Sequence, residues 1–534
     1  MTPLFAIVFA SGGAILALEL LASRVMTPYF GVSLYIWTGI LSITLVSLAL
    51  GYWAGGKLAA RMPGAGAAAR LTQIFALMPA LAAIAIVAAC MVYPFLFASL
   101  AGLSLVLGAF AACLILLFLP LVVTSAMNPL LVAITLQRAE GRSGDAGAGK
   151  VFFISTIGSV AGVLVTAFGL IPYLSNFTAM LVVALMLALL SLVAAALALP
   201  RSRRAAVRAT ALAGVFAALV LLWQADAYTG RLGPAHFGNL DFKVEASYGS
   251  LFGTVKILKS VTPDAEGRFV RVYFQDGMVQ NTVESTGRSL SFYTHALEAL
   301  AYAYRPQLRS ALILGLGAGV VPNKLAARGV DVEVVEIDPV ALTIAERFFG
   351  FARSRARVHL ADARTFVRTC PRPFDVVVVD LFHGDGTPEY LVTREFFGDL
   401  KRCLSPQGVA VFNTFADLEH PEVYANLLAT LHAELPHIVL YRPGWKAAQV
   451  NGFIVAGKAP LAQPGRVTLA DVPAHQDAPL WEMLARPMPL EEKDLAGGRI
   501  ITDAHNVAAH AIAVSQIDYR RAVVRALPPA FLLN

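Results

Sequence analysis

The stretch LILGLGAGVVP, Leu312 to Pro322, closes an apolar run with Gly315, Gly317 and Gly319 at alternate positions. A short apolar run bounded by glycine reads as a buried strand. Glycines where a strand hands over to a helix let the backbone turn tightly, and let a ligand approach with no Cβ in the way. Four more apolar runs follow, VEVVEID, ARVHLAD, FDVVVVD and VAVFNTF, with amphipathic segments between them. That alternation predicts parallel strands joined by crossing helices, a Rossmann-like α/β domain over residues 306–460.

Immediately upstream, residues 240–305 read as a small β-hairpin region with a connecting helix. VEASYGSLFGTVKIL alternates like a strand pair, and in VRVYFQDGMVQN the pair Asp276-Gly277 stands where a hairpin turns. Residues 461–534 form a C-terminal extension.

The first 225 residues have a different texture. The whole chain of 534 residues is 57% hydrophobic and 14% charged, with a mean hydropathy of +0.66, far from the soluble norm. Spanning-length apolar segments run over Pro3–Ala22, Leu34–Gly55, Leu71–Tyr93, Gly102–Leu136, Val151–Tyr173, Phe177–Leu199 and Val207–Trp223. The fourth is long and holds Pro120 and Asn128-Pro129, so a kinked helix, or a span plus a half-helix, is expected. An all-α transmembrane bundle over residues 1–225, of six or seven spans, follows. MTPLFAIVFASGG lacks a basic region before its apolar run and reads as the first span, not as a cleaved signal.

Charge is unevenly placed. Up to Ala225 there are three acids (Glu19, Glu140, Asp145) against eleven Lys and Arg, so the net +7 belongs to the membrane half. Basic residues mark the loops after the second span (Lys57, Arg61, Arg70), the fourth (Arg138, Arg142, Lys150) and the sixth (Arg201, Arg203, Arg204, Arg208). This is the pattern of cytoplasmic membrane loops, not of a nucleic-acid-binding surface. The expectation is a multi-pass protein of the cell inner membrane, its partner a lipid bilayer and not nucleic acid. A crossing seventh span would put the second half outside the cytoplasm, so a cytoplasmic second half requires Val207–Trp223 to lie in the interface or re-enter, or the fourth span to be miscounted. The cytoplasmic placement is the one expected here. Cys90, Cys113, Cys370 and Cys403 form no CxxC and no metal-binding spacing, so neither a disulfide framework nor a metal site is expected.

The chemistry gathers around the glycine loop. Glu336 follows Gly315 by 21 positions and ends the second strand, where an acid accepts hydrogen bonds from both ribose hydroxyls. Asp362-Ala363 ends the third strand, a place for a partner of the adenine amino group, and Asp380 ends the fourth. Acids at successive strand ends face one crevice. NAD would want a third glycine at position 320, which is Val320; a phosphate-free sulfonium nucleoside suits the loop better. Asp380 stands where a carboxylate orients an amine and takes its proton before attack on a carbon bonded to the sulfonium. The alternative for Asp380 is the N-cap of the next helix.

In order along the chain, SYG and QDGMVQ, then LGLGAG, VEIDP, LADARTF and FDVVVVDLF resemble the spermidine synthase (aminopropyltransferase) family, over Val244 to Gly457. The resemblance implies that Gly315, Gly317, Gly319, Glu336 and Asp338 hold decarboxylated S-adenosylmethionine, and that Asp362 and Ala363 contact adenine. It implies Asp380 as the catalytic base, with Tyr248, Gln280, Tyr293 and Asp385 on the amine or polyamine acceptor. Some positions depart from the family: its YQ is Tyr248-Gly249, the acid of its glycine loop is Ala318, its YHE is Tyr293-Thr294-His295, and its DxxD has His383 at the second acid. Asp385 either replaces that acid from two positions later or begins the turn GDGTP. GGRIITDAHN keeps Asp503 as the one acid of a further family segment. ELLASRVMTPYFG, GYWAGGKLAARMP and TSAMNPLL resemble the transporter-like membrane region fused to such domains in bacteria.

Three functions are compatible with these residues: polyamine biosynthesis by aminopropyl transfer to an amine, methyl transfer from S-adenosylmethionine, and a transporter or sensor whose nucleoside-binding domain regulates the membrane half. A homo-oligomer is compatible with each. Glu19 and Arg24, at the end of the first span, either snorkel to the interface or line a polar pocket together with Asn128.

Overall fold

Small residues decide how the first helices pack. A Cβ on Gly158 would run into the Phe9 carbonyl and one on Gly162 into the backbone of Gly13, so the helices Thr2–Phe30 and Gly144–Val165 cross backbone to backbone. Gly51 and Gly55 of the helix Leu34–Ala60 fit in the same way against Ser125 and Ala126. The computed structural model describes residues 2–32, 34–64, 66–138, 144–225, 235–382, 386–417, 421–444, 449–506 and 519–534. They divide into a helical unit (Met1–Phe237, Tyr248–Thr254, Arg521–Asn534) and an α/β unit (Gly238–Ser247, Val255–Arg520). The expected boundaries differ from this division, because residues 248–254 and the chain's end group with the helices.

Among the described residues, seven helices are long and apolar enough to cross a membrane, the last being Arg201–Trp223. Their outward faces carry exposed Leu45, Trp53, Phe153, Phe168 and Phe216. The fourth run, Leu105–Gln137, has the irregularity its prolines announced: a π-helical turn at Leu114–Phe118, then Pro120, then a break at Ala126. Some polar groups of the helices find partners distant in sequence. Asn128 donates to Ser155 Oγ at 3.3 Å, and Arg24 donates to the Leu251 carbonyl at 2.7 Å.

The α/β region opens with an antiparallel sheet, β1 (His236–Phe237), β2 (Leu240–Ser250), β3 (Gly253–Ser260), β4 (Val270–Gln275) and β5 (Met278–Glu284), in the order of the chain. Asp276, with φ 48°, and Gly277 form the β4–β5 turn where the sequence put it. The helix Phe292–Tyr304 then leads to the main sheet. Its strands are β6 (Ser310–Leu314), β7 (Asp331–Glu336), β8 (Ala356–Leu360), β9 (Phe374–Val379), β10 (Leu404–Asp417), β11 (His437–Tyr441), β12 (Gln449–Gly457) and β13 (Met488–Pro489). Their order is β13-β11-β12-β10-β9-β6-β7-β8. The five predicted strands β6 to β10 are parallel, whereas β12 runs antiparallel to β10 and β11 to β12. Valines at alternate positions of β9 go to opposite cores: Val376 and Val378 to one, Val377 and Val379 to the other.

One disulfide joins Cys370 and Cys403, with Cα atoms 5.7 Å apart, which corrects the expectation that the cysteines carry no bridge. The two are 33 residues apart and meet only because the segments after the helices Ala363–Arg368 and Arg394–Arg402 end side by side, a proximity their spacing does not encode.

Candidate active site

Strands β6 and β9 are neighbours, and the chain continues from them in opposite directions, to β7 and to β10. Such a reversal opens a crevice at the carboxyl ends of the strands. Gly315 sits at its base with φ 95°, donating its N–H to Val335 O at 2.9 Å. A Cβ there would collide with the Asp380 carbonyl, so glycine is what lets the loop lie against the end of β9. Gly317, with φ 52°, has open space where a Cβ would go, which leaves backbone accessible to a ligand. Gly319 precedes the helix Val320–Ala327, and Ala318 is buried.

Glu336 is held by this loop. Its Oε2 accepts from Leu316 N at 2.9 Å and its Oε1 from Asp338 N at 2.8 Å. Burial raises its pKa above the usual carboxylate value, and these N–H donors oppose the rise. Asp338 caps the helix Pro339–Phe349 through Val340 N at 2.9 Å, which puts it behind Glu336 as a support. Asp362 likewise caps Ala363–Arg368, accepting from Thr365 N at 2.8 Å, while its Oδ2 takes the Tyr390 hydroxyl at 3.3 Å. Ala363, the first residue of that helix, is buried.

Asp380 follows β9. Its N–H donates to Leu314 O at 3.0 Å, and its Oδ1 accepts from Asn413 Nδ2 at 2.9 Å. The carboxyl keeps a little exposure but is densely surrounded; that burial pushes its pKa up to about 6, with the Asn413 hydrogen bond pulling the other way. Tyr293 and Asn281 line a small cleft with it, as do Thr294, Gly315 and Leu316. Asn281 Nδ2 donates to Tyr293 Oη at 3.2 Å, Ser289 Oγ to Asn281 Oδ1 at 3.2 Å, and Thr294 Oγ1 to Ser289 Oγ at 2.9 Å. Burial, then the nearby Asp380 charge, hold the Tyr293 phenol well above its ordinary pKa, so it stays a neutral hydroxyl. A basic carboxylate, a neutral phenol and two amides around a small cleft suit an amine that must be oriented and deprotonated.

The predicted residues therefore separate. Gly315, Asp380 and Tyr293 line one cleft, and Glu336 is tied to Leu316 of its wall. Gln280 is the extra residue of a β-bulge, since Tyr273 pairs with Asn281 and Phe274 with Val279; its neighbour Asn281 lines the cleft instead. Tyr248 belongs to the helical unit. Asp385 and His383 lie outside the described residues. Asp503 is ion-paired with Arg364, on the helix that Asp362 caps. Asn281, Asn413 and Tyr390 were not singled out from the sequence; the polar residue interrupting VAVFNTF was the one available signal for Asn413.

Residues 290–443 match the family model described as spermine/spermidine synthase domain. A polyamine aminopropyltransferase of Vibrio vulnificus is 42% identical over 119 residues, 21% of this chain and 40% of that protein. An N-terminal histidine N-methyltransferase of Emericella nidulans is 34% identical over 140 residues, 25% of this chain and 24% of that protein. A crystal structure of a probable spermidine synthase from Corynebacterium glutamicum aligns with a TM-score of 0.39 at 19% identity, covering 49% of this chain and 97% of that one. The chain thus spans less than half the length of either curated relative described. Its C-terminal part carries a spermidine synthase domain.

Proposed function

We propose that the α/β unit is an aminopropyltransferase that moves an aminopropyl group from decarboxylated S-adenosylmethionine to an amine, and that the helical unit anchors it in a bilayer as a multi-pass membrane protein. The observation that carries the first part is Asp380, raised in basicity by burial and oriented by the Asn413 amide, in the cleft that begins at the glycine loop. The second part is supported by seven helices of spanning length with apolar outer faces.

The site fits the donor. The open side of Gly317 admits the nucleoside, Glu336 offers its remaining lone pairs to the ribose hydroxyls, and Asp362 with Tyr390 stands at the next strand end for the base. The sulfonium supplies an electrophilic carbon and a leaving group. Asp380 accepts a proton from the bound ammonium; the freed nitrogen lone pair forms the new C–N bond as the C–S bond breaks, and its electrons remain on sulfur as a neutral thioether. Tyr293 and Asn281 position the nitrogen from the opposite wall. The gain comes from alignment and from keeping the amine unprotonated.

Methyl transfer from S-adenosylmethionine is the second reading, favoured by one observation: the loop position where the family keeps an acid is the buried Ala318. Incubation of the detergent-purified full chain with each sulfonium nucleoside and a panel of amines separates the two. Methylthioadenosine as by-product is the expected result, and S-adenosylhomocysteine would favour methyl transfer. Asp380→Asn is expected to abolish turnover and keep donor binding; turnover at the parent rate would sink the assignment of the base.

A further inference from the structure

The turns of the helical unit differ by face. Basic residues gather at one end of the described helices: Arg61 follows the second just before the third begins, Arg203 at the start of the seventh donates to Gln73 in the first turns of the third, and Lys150 at the start of the fifth lies over Phe5 at the start of the first. The described turn residues at the other end, 31–32, 104 and 171–175, include no Lys or Arg. If the helices span a bilayer, the basic face is cytoplasmic.

Two segments distant in sequence pack into the helical unit, and both pack on the face whose turns lack Lys and Arg. Leu251 O accepts from Arg24, near the far end of the first helix, at 2.7 Å, and Thr254 Oγ1 from Asn176, at the start of the sixth, at 3.4 Å. A Cβ on Gly249 would run into the carbonyl of Ile171, in the turn after the fifth helix. From the chain's end, Arg521 donates to Gly102 O, at the far end of the third helix, at 2.8 Å. Asn534 donates to Arg24 O at 2.9 Å and its carbonyl accepts from Phe177 N at 2.9 Å. The chain leaves the helical unit and re-enters it through these segments. Thr254 and Arg521, where the chain leaves and rejoins the helical unit, accordingly lie on that unit's face opposite the basic turns.

Chemistry gives an independent indication. Cys370 and Cys403 of the α/β unit are bridged, while Cys90 and Cys113 of the helices are thiols. Bridges of this kind persist in oxidising compartments.

We infer that the transferase unit lies on the extracytoplasmic side of the membrane, the seventh helix crossing fully, and that it draws donor and acceptor from that side. This replaces the cytoplasmic placement expected from the sequence and rests on the membrane-spanning reading proposed above. Two single-cysteine reporters in the full-length chain test it: Glu266→Cys, exposed in the α/β unit, and Arg61→Cys, exposed in the first basic turn. Native thiols are buried or bridged, so a membrane-impermeant maleimide reports only the new cysteine. In intact spheroplasts Glu266→Cys is expected to label fully without detergent, and Arg61→Cys only after permeabilisation. The reverse pattern overturns the inference while leaving the spans intact. Extraction of the chain from membranes by alkaline carbonate would overturn the membrane-spanning reading itself, and this inference with it.

Discussion

Replacing Asn413 with alanine isolates what sets the basicity of Asp380. The amide donates at 2.9 Å to a carboxylate oxygen, and a hydrogen bond to a charged group contributes about 1.5–3 kcal/mol. Asp380 keeps some exposure, so water replaces part of it, and the lower figure applies. That converts to an upward shift of about one pKa unit. The carboxyl starts at about 6, and the base acts only when ionised, so activity rises with pH through its pKa and the variant's acid limb moves up to about 7. Near pH 6 the ionised fraction falls from about a half to about a tenth, a roughly fivefold loss of kcat/KM that shrinks to about twofold near pH 7. The assay is initial rate against pH, from about pH 5 to about pH 9, for parent, Asn413→Ala and Asp380→Asn. An unmoved limb in Asn413→Ala, or a retained limb in Asp380→Asn, would show that another group titrates and refute the reasoning.

Gly315→Ala forces a side chain into φ 95° and against the Asp380 carbonyl; strain of about 1–3 kcal/mol predicts a donor affinity weaker by about fivefold to 150-fold by calorimetry. Glu336→Gln keeps the shape but weakens the bonds from Leu316 and Asp338, and the donor Kd is expected to rise by about tenfold or more with KM affected before kcat. Removing the bridge with Cys370→Ser and Cys403→Ser frees a loop of 33-residue separation, a loss of about 3–4 kcal/mol if chain entropy dominates. It should appear as a lower Tm in detergent that reductant reproduces in the parent but not in the variant. Gly158→Leu, where a Cβ already meets the Phe9 carbonyl, is expected to prevent the first and fifth helices from packing, seen as loss of monodisperse protein on size exclusion.

The parallel sheet was legible because β6 to β10 are apolar runs ending in polar or glycine positions, a pattern set by burial on both faces. The antiparallel β11 and β12 were not, since FIVAG is as apolar as any parallel strand and direction leaves no mark on composition. Acids at strand ends were visible but not their duties. Asp338 and Asp362 cap helices, and a capping aspartate and a ligand-binding one occupy the same place in a strand-to-helix turn. Asn413 meets Asp380 only because β10 lies beside β9, a contact 33 residues apart in the chain. The helices were read well from hydropathy, but the first runs to Phe30 and not Ala22. Ser23 and Arg24 find carbonyl partners, so their polarity does not end it.

The grip of Glu336 on Leu316 and Asp338 has a thermodynamic corollary. A loop whose backbone amides are already held by a fixed carboxylate has little freedom left to lose when a nucleoside arrives. Donor association should then behave as docking onto a finished surface: fast, with a small heat-capacity change confined to the buried base and ribose, and with hydrogen exchange at the loop slow before the nucleoside is added as well as after.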